Sequence, residues 1–207
     1  MVRTSKSIRT AVEALAEREA AFARVVAKHG VPEPRSSDRG AQTLLRTIVG
    51  QQVSVAAARS MWAKLEAAFG SPPDLSRLFN ATDEEMRAAG MSRQKAGYIR
   101  SLAGLVLSGE LDLGTLPEDD EEAIALLTKI KGIGRWSAEI YLLFAEGRPD
   151  LWPAGDLAVQ IEVGRILGHD ARPSEKLTRE LAEAWRPHRG AAAILAWHHY
   201  NSDMAVV

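Results

Sequence analysis

The sequence predicts an all-α fold, and three observations predict it. Alanine and leucine dominate the apolar residues while β-branched runs stay short, a composition that favours helix. Apolar residues recur at helical spacing along most of the chain, and no segment shows the two-residue alternation of a strand. The prolines and most of the glycines fall between the periodic segments, where helices should end. About ten helices are expected.

Residues 8–29 make the first helix, stopped by Gly30 and Pro32. Asp38 is placed to cap the second, 38–51, whose Leu44, Leu45, Ile48 and Val49 share a face. Gly50-Gln51-Gln52-Val53-Ser54 is a polar break, after which Ser54 caps helix 55–69 with Val55, Met61, Trp62, Leu65 and Phe69. Gly70-Ser71-Pro72-Pro73 ends it. Short helices follow at 74–79 and 82–89, and Ser92 opens 92–108. A linker, GELDLGTLPE, leads to helix 120–130. Gly132-Ile133-Gly134 then turns the chain into helix 135–146. The turn-rich GRPDLWPAG precedes helix 156–167, which starts at Asp156, and the last helices are 174–186 and 189–202.

Composition narrows the function classes. With 207 residues the chain can bury one sizeable core or two lobes. It has no cysteine, which excludes disulfides, thiolate zinc sites and iron–sulfur clusters. A net charge of −1 argues against coating nucleic acid by bulk charge, though not against gripping a few phosphates. The acidic run Glu118 to Glu122 reads as a solvated helix start. The basic first residues lead into a charge-studded amphipathic helix rather than a signal-peptide apolar region. No run of about 18 apolar residues exists, so no membrane span is expected. The histidines His29, His169, His188, His198 and His199 form no zinc-like spacing.

Lys131-Gly132-Ile133-Gly134 carries the most information. A glycine turn between two helices points backbone N–H groups outward, an arrangement that suits a phosphate oxygen. The plainer reading makes Gly132 a helix C-cap. Asp156 follows twenty residues after Trp136.

Three stretches in order resemble the DNA glycosylase superfamily. Leu127-x-x-Ile130-x-Gly132-Ile133-Gly134-Arg135-Trp136-Ser137-Ala138 resembles its helix–hairpin–helix, with Ile130 and Ile133 packing the two helices together. Pro153-x-x-Asp156 resembles the approach to its catalytic aspartate. Leu45-x-x-Ile48-x-x-Gln51-Gln52-Val53-Ser54-x-x-Ala57 resembles its helix–loop–helix at the lesion gap. Together they resemble the 3-methyladenine DNA glycosylase II branch over residues 38–202. Larger members carry an N-terminal β-rich domain for which this chain has no room, so a compact member is expected. The resemblance implies the helix–hairpin–helix glycosylase fold in two lobes with a central cleft. One lobe would span about 38–125; the other, holding the hairpin and catalytic residues, about 126–207 with helix 8–29.

The resemblance also implies roles. Asp156 would stabilise the positive charge that builds on deoxyribose as the bond to the base breaks, and would orient water; as a plain helix cap it would need no further role. Trp136 stands where strand-cutting members have a Schiff-base lysine, so a monofunctional hydrolase is implied. Its indole would line a base pocket with Gln51, Trp197 and Ile140 and attract a cationic alkylated purine; core packing is the alternative for both tryptophans. Gln52 would plug the gap left by the flipped base, unless Gln51 and Gln52 are only a polar turn. Gly132, Gly134, Arg135, Trp136 and Ser137 would hold DNA backbone. A sodium or potassium ion would sit on the backbone carbonyls of Thr128, Ile130 and Ile133, with no other cofactor. Lys131 departs from the proline many members carry, and Ile140 from an aromatic residue some have.

The expected function is excision of 3-methyladenine- and 7-methylguanine-type bases from double-stranded DNA, by a monomer that is cytoplasmic and nucleoid-associated and does not engage membranes. Two alternatives stay open: a glycosylase for uracil, hypoxanthine or oxidised guanine, and a non-catalytic module that binds damaged DNA. The basic turn Arg186-Pro187-His188-Arg189 is either a further backbone contact or a solvated loop.

Overall fold

A computed structural model describes residues 4–204. Among these are twelve α-helices, one π-helical and one 3-10 segment, and no strand. Two compact units partition the chain. A middle unit spans residues 37–141, and a terminal unit combines residues up to 36 with those from 142 onward.

The middle unit contains α3 (Ala41–Gly50), α4 (Val55–Phe69), α5 (Leu75–Asn80), α6 (Asp83–Ala88), α7 (Arg93–Leu107), α8 (Asp120–Leu127) and α9 (Arg135–Tyr141). Helix α7 is its centre: α3, α5 and α6 all pack on it. Leu44, Leu45, Ile48, Leu65, Leu78, Met86, Ile99 and Leu102 are sealed from solvent in this core. Local sequence sets most of the starts. The side chains of Ser54, Asp74, Thr82, Ser92 and Asp119 each accept a backbone N–H from the first turn that follows. Asp38 does not cap α3. That helix starts at Ala41 behind Gly40, at φ 105° with no side-chain cap, and Asp38 offers only its carbonyl, to the Thr43 hydroxyl at 2.6 Å.

The terminal unit contains α1 (Ser5–Arg18), α2 (Ala20–His29), the π segment Leu142–Glu146, α10 (Leu157–Leu167), α11 (Glu175–Ala182), the 3-10 turn Glu183–Trp185 and α12 (Arg189–Met204). Helix α12 packs against α1, α2 and α10. A run of small buried residues, Ala191, Ala192, Ala193 and Ala196, lets its neighbours approach closely. At its start the Gly190 N–H donates to the Pro149 carbonyl at 2.9 Å, and a Cβ there would sit 2.7 Å from that same oxygen.

Four expectations change. Helix 8–29 is two helices broken at Glu19, which is extended at φ −128° and ψ 104° and accepts the Ala21 N–H on its own carboxylate. Helix 120–130 stops at Leu127 because the chain tightens into the turn that reaches Gly132. Helix 135–146 is α-helical only to Tyr141 and then widens into the π segment. The division expected near residue 125 falls after Tyr141, because α8 packs on α9 and α9 on α3. No helix among the described residues is long and apolar enough to cross a membrane.

The bend at Glu19 carries Phe22 into the core of the terminal unit, where its fully buried ring meets Trp185 edge to face at 4.9 Å. Phe22→Ala should cost about 3–5 kcal/mol, read as a lower urea midpoint at unchanged slope. A loss under about 1 kcal/mol would mean that this contact does not anchor the unit.

Candidate functional site

The hairpin is built by one tight fit. Gly132 has φ 82°, and a Cβ on it would lie 2.2 Å from the Tyr98 ring of α7. Only glycine satisfies both the dihedral and the space. Ile130 and Ile133 are buried on either side, as the sequence predicts, and the Ile133 N–H closes the turn on the Ile130 carbonyl at 3.0 Å. The Lys131 N–H is taken by Ser101 Oγ at 3.1 Å. The N–H groups of Gly132 and Gly134 donate to nothing among the described residues, and both glycines are exposed. A Cβ on Gly134 would meet nothing within 4 Å, so the fold imposes no steric demand for glycine there.

Arg135 is held in ion pairs. Its guanidinium forms a two-pronged pair with Glu121 in the first turn of α8, and its Nε donates to the buried Glu139 at 2.9 Å. The hydrogen bond to Glu121, followed by the field of both carboxylates, raises its pKa above the ordinary arginine range against a desolvation cost. The EDDEE run is therefore a helix start that also fastens the hairpin.

The Gln51–Gln52 loop leans on the same hairpin. Gln51 Nε2 donates to the Gly132 carbonyl at 2.8 Å. Gln52 is exposed and has φ 55°, the one non-glycine residue with positive φ among the described residues. Left-handed backbone costs such a residue about 1–2 kcal/mol, and residues held this way cluster at functional positions.

Gln51, Gln52, Gly132, Trp136 and Ser137 line one cavity of about 930 Å³ within the middle unit. Trp136 is 47% exposed, far more than a core tryptophan. Ile140 is half-buried and does not line this cavity. Sequence reasoning misses two residues that do, Arg46 and Lys95. Arg46 lies 3.7 Å over the Trp62 ring. Lys95 is buried, and its ammonium donates to the Val49 carbonyl at 2.7 Å. Burial pushes that lysine's pKa below its ordinary value.

In the terminal unit Asp156 is the N-cap of α10. Its Oδ1 accepts the Val159 N–H at 2.9 Å and the Trp197 indole N–H at 3.2 Å. Gln160 Nε2 holds the preceding loop through the Ala154 carbonyl at 2.7 Å. Trp197 is half-buried and lies tilted against Phe144 at 5.8 Å. With Val31, Pro32, Arg35 and Ile194 it lines a cavity of about 350 Å³ inside this unit. Its polar edge thus turns to Asp156, an orientation that helical spacing alone could not reveal.

Other polar groups of the terminal unit are committed elsewhere. Asp150 and Glu183 hold both Arg186 and Arg189, so the basic turn is charge-paired. The rings of His198 and His199 gather round His29, and fully buried Glu162 bonds His199 and Arg165. Among the described residues no three acidic, histidine or cysteine side chains form a metal-binding group.

The pattern of the HhH-GPD superfamily of base excision DNA repair proteins matches residues 45–187. A putative DNA-3-methyladenine glycosylase of Bacillus subtilis is 26% identical over 162 residues, 74% of this chain and 56% of the relative. DNA-3-methyladenine glycosylase 1 of Schizosaccharomyces pombe is 31% identical over 160 residues, 75% of this chain and 70% of the relative. The chain thus spans little more than half the length of the first and over two thirds of the second. A solved structure of a 3-methyladenine DNA glycosylase from S. pombe, in complex with abasic DNA, superposes with TM-score 0.78 at 27% identity, covering 94% of this chain and 97% of its own.

Gly132→Ala should destabilise the fold by about 2 kcal/mol or more through dihedral strain and overpacking. Adding Tyr98→Ala relieves the clash but not the strain, so the pair should fall short of additivity by about 1 kcal/mol in urea titrations. Simple additivity would show that the two residues do not press on each other.

Proposed function

This chain belongs to the HhH-GPD superfamily of base excision DNA repair proteins, and on that premise we propose that it is a monofunctional DNA glycosylase. It flips 3-methyladenine- and 7-methylguanine-type bases out of duplex DNA and hydrolyses the N-glycosidic bond. The products are the free base and an abasic site. The similarity to two proteins named for 3-methyladenine supports the lesion class, and the abasic-DNA complex supports the partner.

The observation that carries the reading is Asp156. One carboxylate oxygen is held by two donors, which fixes the rotamer in which the carboxylate meets a substrate. Positive charge develops on the sugar as the base departs, and a fixed anion beside the anomeric carbon stabilises it. Water then adds to that carbon, and its proton leaves to solvent. An alkylated purine carries its own positive charge and leaves as a neutral base, so little general-acid assistance is required. Trp136 offers an exposed indole face to such a cation, an attraction of about 0.5–2 kcal/mol. With tryptophan rather than lysine at that position, no Schiff base forms and the strand stays intact.

Gln52 enters the vacated stack, and its strained backbone, braced through Gln51, presents it outward. Gly132, Gly134 and Ser137 offer backbone N–H groups to a phosphate, with Trp136 beside them. Arg135 shapes the hairpin through Glu121 and Glu139. The carbonyls of Thr128, Ile130 and Ile133 suit a sodium or potassium ion. The Ile130 oxygen already accepts one hydrogen bond and keeps a second lone pair.

Single-turnover assays on duplexes carrying 3-methyladenine, 7-methylguanine, ethenoadenine, hypoxanthine or uracil test the proposal. Alkylated bases should be released, leaving alkali-labile but uncut strands. Asp156→Asn should slow release about 100-fold or more while abasic-DNA binding persists. Release by that variant at the normal rate would remove Asp156 from the mechanism. Trp197→Phe keeps an aromatic ring and loses only the N–H. If Trp197 positions Asp156, release should slow about tenfold at little cost in binding, the worth of one hydrogen bond to a charged group. A rate equal to the parent's would return Trp197 to the part of a simple pocket wall.

A further inference from the structure

The cavity beside the Gln51–Gln52 loop holds two cations and no carboxylate. Its lining includes Arg46, Ser92, Gln94, Lys95 and Tyr98 along with the loop and hairpin residues, and no Asp or Glu contributes. We propose that this cavity is a second phosphate seat, in which Arg46 and Lys95 take a backbone phosphodiester of the duplex next to the plug loop. The inference rests on the glycosylase reading for its partner and deepens it.

Arg46 is presented for such a contact. Its guanidinium stacks 3.7 Å over Trp62, which fixes the plane and leaves the N–H edge available. It is exposed and has no carboxylate partner among the described residues, in contrast to Arg135, which has two. Lys95 is 9% exposed and uses one of its three donors on the Val49 carbonyl. It too has no counter-charge among the described residues. A buried ammonium without an anion is costly, and an incoming phosphate oxygen supplies the missing charge. Desolvation already lowers its pKa, as expected for a cation in such a place.

The surroundings favour the same ligand. Ser92 caps the fifteen-residue helix α7, whose N-terminal end carries partial positive charge into the cavity lining. Gln94 donates to the Tyr98 hydroxyl at 2.6 Å, which sets a neutral polar rim. A chain of net charge −1 gains little from long-range attraction. Local seats of this kind therefore have to supply the grip on DNA that bulk charge does not. A phosphate held here lies beside Gln52, so strand and plug would be fixed by one loop.

Binding to a duplex with a tetrahydrofuran abasic analogue, measured by fluorescence anisotropy from about 50 to about 200 mM salt, tests the seat. Arg46→Gln should weaken binding about tenfold and flatten the dependence of log K on log salt by about one unit. Arg24→Gln, which removes an exposed charge from α2 in the terminal unit, should leave the slope unchanged. Lys95→Met, if its circular dichroism melt shows a folded protein, should flatten the slope further; if it does not fold, Arg46→Gln alone decides. An unchanged slope for Arg46→Gln, or an equal fall for Arg24→Gln, overturns the proposal. Inorganic phosphate titrated alone separates the sources. Loss of its binding in Arg46→Gln with an unaltered DNA slope makes the cavity a free-anion site and overturns the duplex assignment. Parent protein that binds abasic duplex with the Arg46-dependent slope but releases no alkylated base defeats the glycosylase reading and leaves the seat standing.

Discussion

The close approach of Gly132 to Tyr98 is the constraint on which the middle unit's functional surface depends. Any side chain at 132 would collide with the ring, so the turn can reach α7 only as glycine. Once it does, its carbonyl is in place for Gln51, and the loop before α4 is tied to the hairpin. Tyr98 and Lys95 both belong to α7, and Lys95 holds the end of α3 through Val49. One helix thus braces the entry to the Gln51–Gln52 loop twice: directly at Val49 and, through the hairpin, at Gln51.

The terminal unit uses a different device. Asp156 is both a helix cap and the proposed catalytic carboxylate, and the two uses share one geometry. The cap bond to Val159 and the indole bond from Trp197 converge on the same oxygen. Trp197 is in turn set by Phe144 in the π segment. Such segments occur often at functional sites, where the widened turn re-aims a side chain. Two donors on one oxygen fix the rotamer of the whole carboxylate.

Features written in neighbouring residues are legible in the sequence. Ser54, Ser92 and Asp156 read as caps because a cap needs only its own next turn. Ile130 and Ile133, packing residues in the hairpin that the sequence resembles, are buried. Features set across the chain are not legible in this way. The break at Glu19 is hidden because glutamate is an uncommon cap in an otherwise amphipathic run. Asp38 has the chemistry of a cap, but the backbone turns at Gly40 and starts α3 later. Arg135 resembles a phosphate ligand because its partner Glu121 lies fourteen residues earlier, in a run that reads as solvated. Lys95, in a polar stretch at the start of α7, gives no sign of burial. For Arg46, the aromatic Trp62 is the available signal that a cation there is held rather than solvated.

The pair between Glu121 and Arg135 joins the first turn of α8 to the first turn of α9, so an ion pair closes the hairpin into a ring beyond the turn's own hydrogen bond. The order this imposes is present before any ligand arrives, which lowers the entropy lost on binding. Both partners face solvent, Arg135 at 43% and Glu121 at 67% side-chain exposure. Ionic strength therefore reaches this protein twice. It screens the attraction of an anion for the hairpin, and it also slackens the ring that keeps the hairpin shaped to receive one.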